Sequence, residues 1–163
     1  NAQSKSEAVL ALKNIEVKVK WDAYEILAKT SIALGDSLKA QSAFKVLEKA
    51  PVDKLAAEAY YFRAHQNHKN KDFENSNEVI ALMSQKFSSQ PYWAAKSLLL
   101  MAKNFYAVKD AFQATYILES LIENYEQFPK ISKEGETLLI QIKEKQSEQN
   151  ATLSQPDDNN EEQ

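Results

Sequence analysis

His65 and His68 are the only histidines in the chain. Their spacing puts both imidazoles on one side of a helix, where together they could hold a metal ion. A ligand set normally also needs carboxylates or thiolates close by, and the neighbouring Asn67, Lys69, Asn70 and Lys71 supply none. A hydrated or partner-facing pair accounts for them better, and neither a metal nor another cofactor is expected. No other pattern points to catalysis. The chain has no glycine-rich phosphate loop, no cysteine and no local Ser/His/Asp arrangement around a nucleophile. Glu119 and Glu123 are carboxylates of the kind any helix surface carries. Tyr60, Tyr61, Phe62, Trp93 and Phe105 would suffice to line a ligand pocket, yet rings at helical spacing mostly pack into a core. Lys69 and Lys71 sit among Asn67, Asn70 and Asp72, which suits a solvated turn rather than a basic strip. The expectation is a protein that is not an enzyme.

The elements that position these residues follow from composition. Glycine (2) and proline (4) are scarce in 163 residues, where average usage would give about 20 together. That scarcity starves the chain of the tight turns a sheet requires, so the fold is expected to be all-α. With 44% hydrophobic and 26% charged residues there is enough apolar material for a core. The net charge of −3 hides an asymmetry, because Asp157, Asp158, Glu161 and Glu162 lie in a final stretch without Lys or Arg. The remaining body is near neutral, which argues against a nucleic-acid partner. No apolar run is long enough to cross a bilayer, so direct membrane insertion is not expected.

A repeat is visible in the turns. Gly35-Asp36, Lys71-Asp72 and Lys109-Asp110 follow one another at offsets of 36 and 38 residues, each between two helix-patterned stretches. Tyr24, Leu27, Ala28 and Ile32 form one stripe before the first turn, and Ala40, Phe44 and Leu47 form another after it. Tyr60 and Ala64, then Ser76, Ile80 and Met83, repeat the pattern, as do Leu98, Met101, Ala102 and Phe105, then Ala114, Leu118 and Leu121. From Tyr24 to Ala40, Tyr60 to Ser76 and Leu98 to Ala114 the separation is always 16 residues. Small residues on the first helix (Ala28, Ala64, Ala102) and on the second (Ala40, Ser76, Ala114) would let two antiparallel backbones approach closely. One pair cannot bury its own apolar faces, so each unit needs the next stacked upon it.

In this register the chain resembles tetratricopeptide (TPR) repeats. Tyr24-x2-Leu27-Ala28 followed by Ala40-x3-Phe44 and Pro51 carries the resemblance. Ser31 in place of Tyr, Arg63 in place of Leu, and Ile80 and Leu118 in place of Phe depart from it. It covers residues 21 to about 128. Pro91 to Ser97 followed by Phe112-Gln113-Ala114 is also similar to the C-terminal repeats of long TPR proteins of the bacterial envelope. The resemblance implies a right-handed α-solenoid of antiparallel helix pairs, a TPR-like superhelix. Its units would be 21–54, 57–90 and 91–128, after a partial upstream repeat at 1–20 and before a capping helix at 131–149. In such proteins the face of the first helices turned away from the packing stripe lines a concave, peptide-binding groove. Carried across by position, that face comprises Asp22, Glu25, Lys29 and Ile32 in unit one. In unit two it comprises Glu58, Tyr61, His65, His68 and Lys69, and in unit three Lys96, Leu99, Lys103 and Tyr106. This mixture suits an extended or helical peptide better than a nucleotide. It does not reproduce the Lys and Asn clamp with which some TPR proteins hold a C-terminal carboxylate.

The ends read as follows. Ala8, Ala11, Leu12 and Ile15 fall at helical spacing with Ser4 or Ser6 as an available cap, suiting the second helix of a truncated repeat. Pro129 is expected to break the chain, with Ser132 capping a helix whose Leu138, Leu139 and Ile142 face inward. Residues 150–163 are expected to form an acidic disordered tail. Asn1-Ala2 suits a cloning scar, in which case the natural protein would extend upstream and any export signal would lie there. The expected function is a scaffold binding a protein or peptide partner of unknown identity in the groove. The alternatives are self-association of a larger repeat protein as a homo-oligomer, or a metal-dependent enzyme using His65 and His68. The envelope resemblance favours the periplasm over the cytoplasm.

Overall fold

The computed structural model describes residues 1–153, and among these it contains eight α-helices and no strand. They are α1 (Ala2–Leu10), α2 (Val17–Ala33), α3 (Ser37–Leu47), α4 (Asp53–Lys69), α5 (Phe73–Lys86), α6 (Pro91–Ala107), α7 (Ala111–Asn124) and α8 (Pro129–Leu153). Each helix packs against the next in sequence, most extensively within the pairs α2–α3, α4–α5 and α6–α7, while α4 also touches α6 and α6 touches α8.

The turns inside these pairs are built alike. Gly35, Lys71 and Lys109 all take positive φ, at 74°, 61° and 66°. At each turn the following Asp amide donates back across a full turn to the carbonyl of Ser31, Asn67 or Phe105, at 2.9 Å in all three. The positive-φ residue itself donates to Ile32, His68 or Tyr106. This is the Schellman closure, which satisfies carbonyls left over at a helix end. Asp36 and Asp110 then cap the next helix by accepting from the Lys39 and Gln113 amides, whereas the Asp72 carboxylate is taken by the Asn75 side chain.

The core is a row of three clusters, each made from three consecutive helices or their flanking turns. Leu27, Ala28, Ala43, Phe44, Leu47, Leu55 and Ala59 form the first. Ala57, Tyr60, Ala64, Val79, Ile80, Met83, Trp93 and Leu100 form the second, and Ala95, Leu99, Ala102, Ala114, Ile117, Leu118, Leu121, Ile131 and Ile142 the third. Helices α4 and α6 each serve two clusters, so apolar residues surround more than one of their faces, as helices covered on two sides require. Ala28, Ala64, Ala102, Ser76 and Ala114 are completely buried and Ala40 almost so. Small side chains therefore occupy the sites where helices come closest.

The ends differ from the sequence expectation. Asn1, not Ser4 or Ser6, caps α1 by accepting the Ser4 amide. The helix stops at Leu10, Ser6 is its buried residue, and Ala8, Ala11 and Leu12 are exposed. The helix still packs along α2, with Leu10 its one residue against the first cluster and Glu7 pairing with Lys39 of α3 at 2.8 Å. Helix α2 begins at Val17, inside the segment assigned to the upstream unit. Pro129 does not break the chain but opens α8, where its missing N–H costs nothing. Ser132 lies within the first turn and donates to the Tyr125 carbonyl at 3.0 Å. Helix α8 runs to Leu153, so residues 150–153 continue it, and the rest of the expected tail lies outside the described residues. Gly135 lets α8 approach α7 closely, since a Cβ there would meet Leu121 at 3.0 Å.

Candidate functional site

Helices α2, α4 and α6, with α3 at one side, enclose a cleft of about 370 Å³ lined by Ile32, Phe44, Glu58, Tyr61, Phe62, His65, Lys69, Trp93 and Lys96 among others. A smaller hollow of about 130 Å³ adjoins it between α4, α6 and α8. Tyr61, His65 and Lys96 line both, and His68, Leu99 and Lys103 line the second. A third hollow, about 670 Å³, lies where α2 and α4 begin, and Asp22 and Glu25 belong to it with Trp21, Val52 and Leu55.

The structure thus divides the thirteen sequence-derived groove residues. Ile32, Glu58, Tyr61, His65, Lys69 and Lys96 meet in the main cleft, and Lys29 bridges α2 to α4 by pairing with both Glu25 and Glu58. Leu99 is only 6% exposed and packs into the third core cluster, so it forms the floor of the small hollow rather than a free surface. Tyr106 lines none of these hollows; it packs against the third cluster with Lys145 of α8 lying over its ring at 5.9 Å. Both placements share a cause, because α8 brings Ile131, Ile142 and Lys145 to the side of α6 that carries them.

At the centre Lys96 lies over three rings, with its ammonium 4.5 Å from the Tyr61 centroid, 5.1 Å from Trp93 and 5.7 Å from Tyr92. Tyr92 and Trp93 are one helical turn before Lys96 on α6, so their placement is local, whereas Tyr61 comes from α4. Tyr61 stands 5.4 Å from Trp93 and 6.1 Å from His65. Burial holds the Lys96 ammonium below the usual lysine range, with Glu58 and Glu134 pulling the other way. Burial, followed by the nearby Glu134 and Tyr92, pushes the Tyr61 phenol up to about 12. Burial also lowers His65, helped by the lysines Lys69, Lys96 and Lys103 and by His68 nearby.

Behind His68 runs a buried polar chain. The His68 Nδ1 lies 2.6 Å from Asn104 Oδ1, Asn104 Nδ2 donates to Ser76 Oγ (2.8 Å) and to Asn77 Oδ1 (2.7 Å), and Ser76 Oγ donates to the Ala64 carbonyl (2.8 Å). Sequence reading of single residues gave no sign of Asn104 and placed Glu134 only on the wet side of the capping helix, whereas it pairs with Lys103 at 2.6 Å. Their partners lie on other helices and have no fixed spacing along the chain.

No protein-family model, curated protein or solved structure matches the chain.

The two imidazoles stack 6.4 Å apart, and one nitrogen of His68 is already engaged by Asn104. Among the described residues no group of three or more His, Asp or Glu side chains is placed to hold a metal ion, and no helix is long and apolar enough to cross a membrane. What the arrangement offers chemically is a cleft with aromatic walls, an aliphatic rim at Ile32 and a desolvated ammonium at its centre.

Proposed function

We propose that the chain is a TPR-like right-handed superhelix of three helix pairs that acts as a non-catalytic scaffold, holding a segment of another polypeptide in the cleft between α2, α4 and α6. Three identical turn closures at near-constant spacing and the buried small residues at the helix crossings support the superhelical reading. The observation that carries the functional one is the cleft itself. Its side chains project from helices, and Tyr61, His65 and Lys96 line two adjoining hollows at once. Aromatic anchors beside polar groups are what a peptide groove uses.

Panning a displayed library of short random peptides on the immobilised chain tests this, with an Ile32→Asp/Tyr61→Ala variant as the counter-target. Peptides recovered on the natural sequence but not on the variant are expected. Equal recovery on both would remove the cleft from the account.

Self-association has its own support. Leu34 and Leu38 at the first turn and Val108 and Phe112 at the third are apolar and more than half exposed, whereas the matching Asn70 and Glu74 are polar. Sedimentation over a concentration series decides it, since a strict monomer leaves those residues without this role.

A further inference from the structure

The charges facing the cleft are unevenly matched. Glu58 pairs with Lys29 at 3.4 Å and Glu134 with Lys103 at 2.6 Å, so both carboxylates nearest the centre already have partners. Lys96 forms no ion pair among the described residues, and neither does Lys69 on the rim. The three rings around Lys96 hold its ammonium and shed its water without neutralising it. His65 and His68 add positive charge on protonation and can supply no negative charge.

We propose that the cleft takes an acidic polypeptide segment, with the ammonium of Lys96 receiving one of its carboxylates and the half-exposed Ile32 receiving an apolar side chain beside it. The proposal rests on the reading of the cleft as a polypeptide-binding surface and names the chemistry of what it holds. A carboxylate gives a half-buried ammonium the direct ion pair that Glu58 and Glu134, held by Lys29 and Lys103, do not make with it, and the gain is larger in a partly buried site than in open water. Because the rings already restrict the lysine, little side-chain freedom is lost on binding. A basic segment would have to take Glu58 from Lys29 or Glu134 from Lys103 first.

Peptides recovered by the panning would be fluorescently labelled and titrated by anisotropy against the natural chain, Lys96→Met, Lys96→Arg and Lys49→Met, with thermal melting to show that each is folded. Lys96→Met keeps the contact with the rings and removes the charge, while Lys49 is an exposed lysine of the α3–α4 connection. The expected result is enrichment in Asp and Glu, binding weakened about tenfold or more by Lys96→Met, retention in Lys96→Arg, and no change in Lys49→Met. Exchanging the acidic residues of a recovered peptide for Asn and Gln should remove the difference between the natural chain and Lys96→Met. Peptides that need the cleft but lack acidic residues, or that bind Lys96→Met equally well, overturn this inference and leave the cleft reading standing. Recovery of no cleft-dependent peptide overturns both.

Discussion

His68 and Asn104, 36 residues apart, are joined by a 2.6 Å hydrogen bond whose direction the surrounding network fixes. Ser76 Oγ spends its one proton on the Ala64 carbonyl, so toward Asn104 it must accept. That puts the Asn104 amide nitrogen on the Ser76 and Asn77 side and its oxygen toward His68. Nδ1 of His68 therefore carries a proton and donates it to Asn104.

This assignment is open to nitrogen NMR, which should report His68 as the Nδ1–H tautomer at neutral pH. Asn104 is completely buried, so Asn104→Leu should cost about 2–3 kcal/mol in urea unfolding, because the buried Ser76 loses a partner it cannot replace with water and His68 loses its anchor. Asn104→Asp should cost more, and increasingly as pH rises, by burying a carboxylate against the oxygen of Asn77.

Two of the three turn closures place lysine where the backbone favours glycine. Lys71→Gly and Lys109→Gly should each stabilise the protein by about 0.5–1 kcal/mol, and Gly35→Ala should destabilise it by about 1 kcal/mol. A Cβ at Gly35 would meet nothing within 4 Å, so that loss is one of backbone conformation alone. Chemical denaturation of the three variants measures it.

The closeness of the helix pairs can be tested with one pair of substitutions. Ala64→Leu puts a larger side chain at a site with no exposure, beneath the carbonyl that Ser76 uses, and should cost about 1–3 kcal/mol. Ala81→Leu, on the exposed side of α5, should change stability by less than about 0.5 kcal/mol.

His65 predicts a pH dependence of defined sign. Burial, aided by Lys69, His68, Lys96 and Lys103, lowers its affinity for a proton in the folded state. Its unfolded form takes up the proton first as pH falls through the ordinary histidine range, so its contribution is intact above about 6.5 and is lost progressively below. Melting temperatures of the natural chain should therefore fall more between neutral and mildly acidic pH than those of His65→Gln. Equal falls would show that other groups carry the effect.

Much of this was legible in the sequence because it is local. An Asp between two helix patterns at a recurring offset announces the turns at Asp36, Asp72 and Asp110, which close through contacts within six residues. The six small residues stood out by their spacing, since helix geometry converts a fixed separation into a shared face. Tyr92, Trp93 and Lys96 were likewise within one turn of each other. The boundaries of α1 and α8 were less legible, because a short stripe such as Ala8 to Ile15 carries too little apolar surface to outweigh fraying, and a proline reads equally well as a stop or as a start.

The sequence by itself determined an all-helical chain and the register of its turns, since hydrogen bonds and side-chain spacing along one segment set those. Only the tertiary structure decided which helix faces stayed open. Leu99 and Tyr106 lie in the same register as Lys96, yet they pack with the third cluster, which α8 completes with Ile131 and Ile142, and no spacing within α6 foretells where α8 will lie. Tyr61 reaches Lys96 and Asn104 reaches His68 across helices for the same reason: contacts between distant segments depend on how all the apolar faces pack together, a property of the whole chain and not of any window within it.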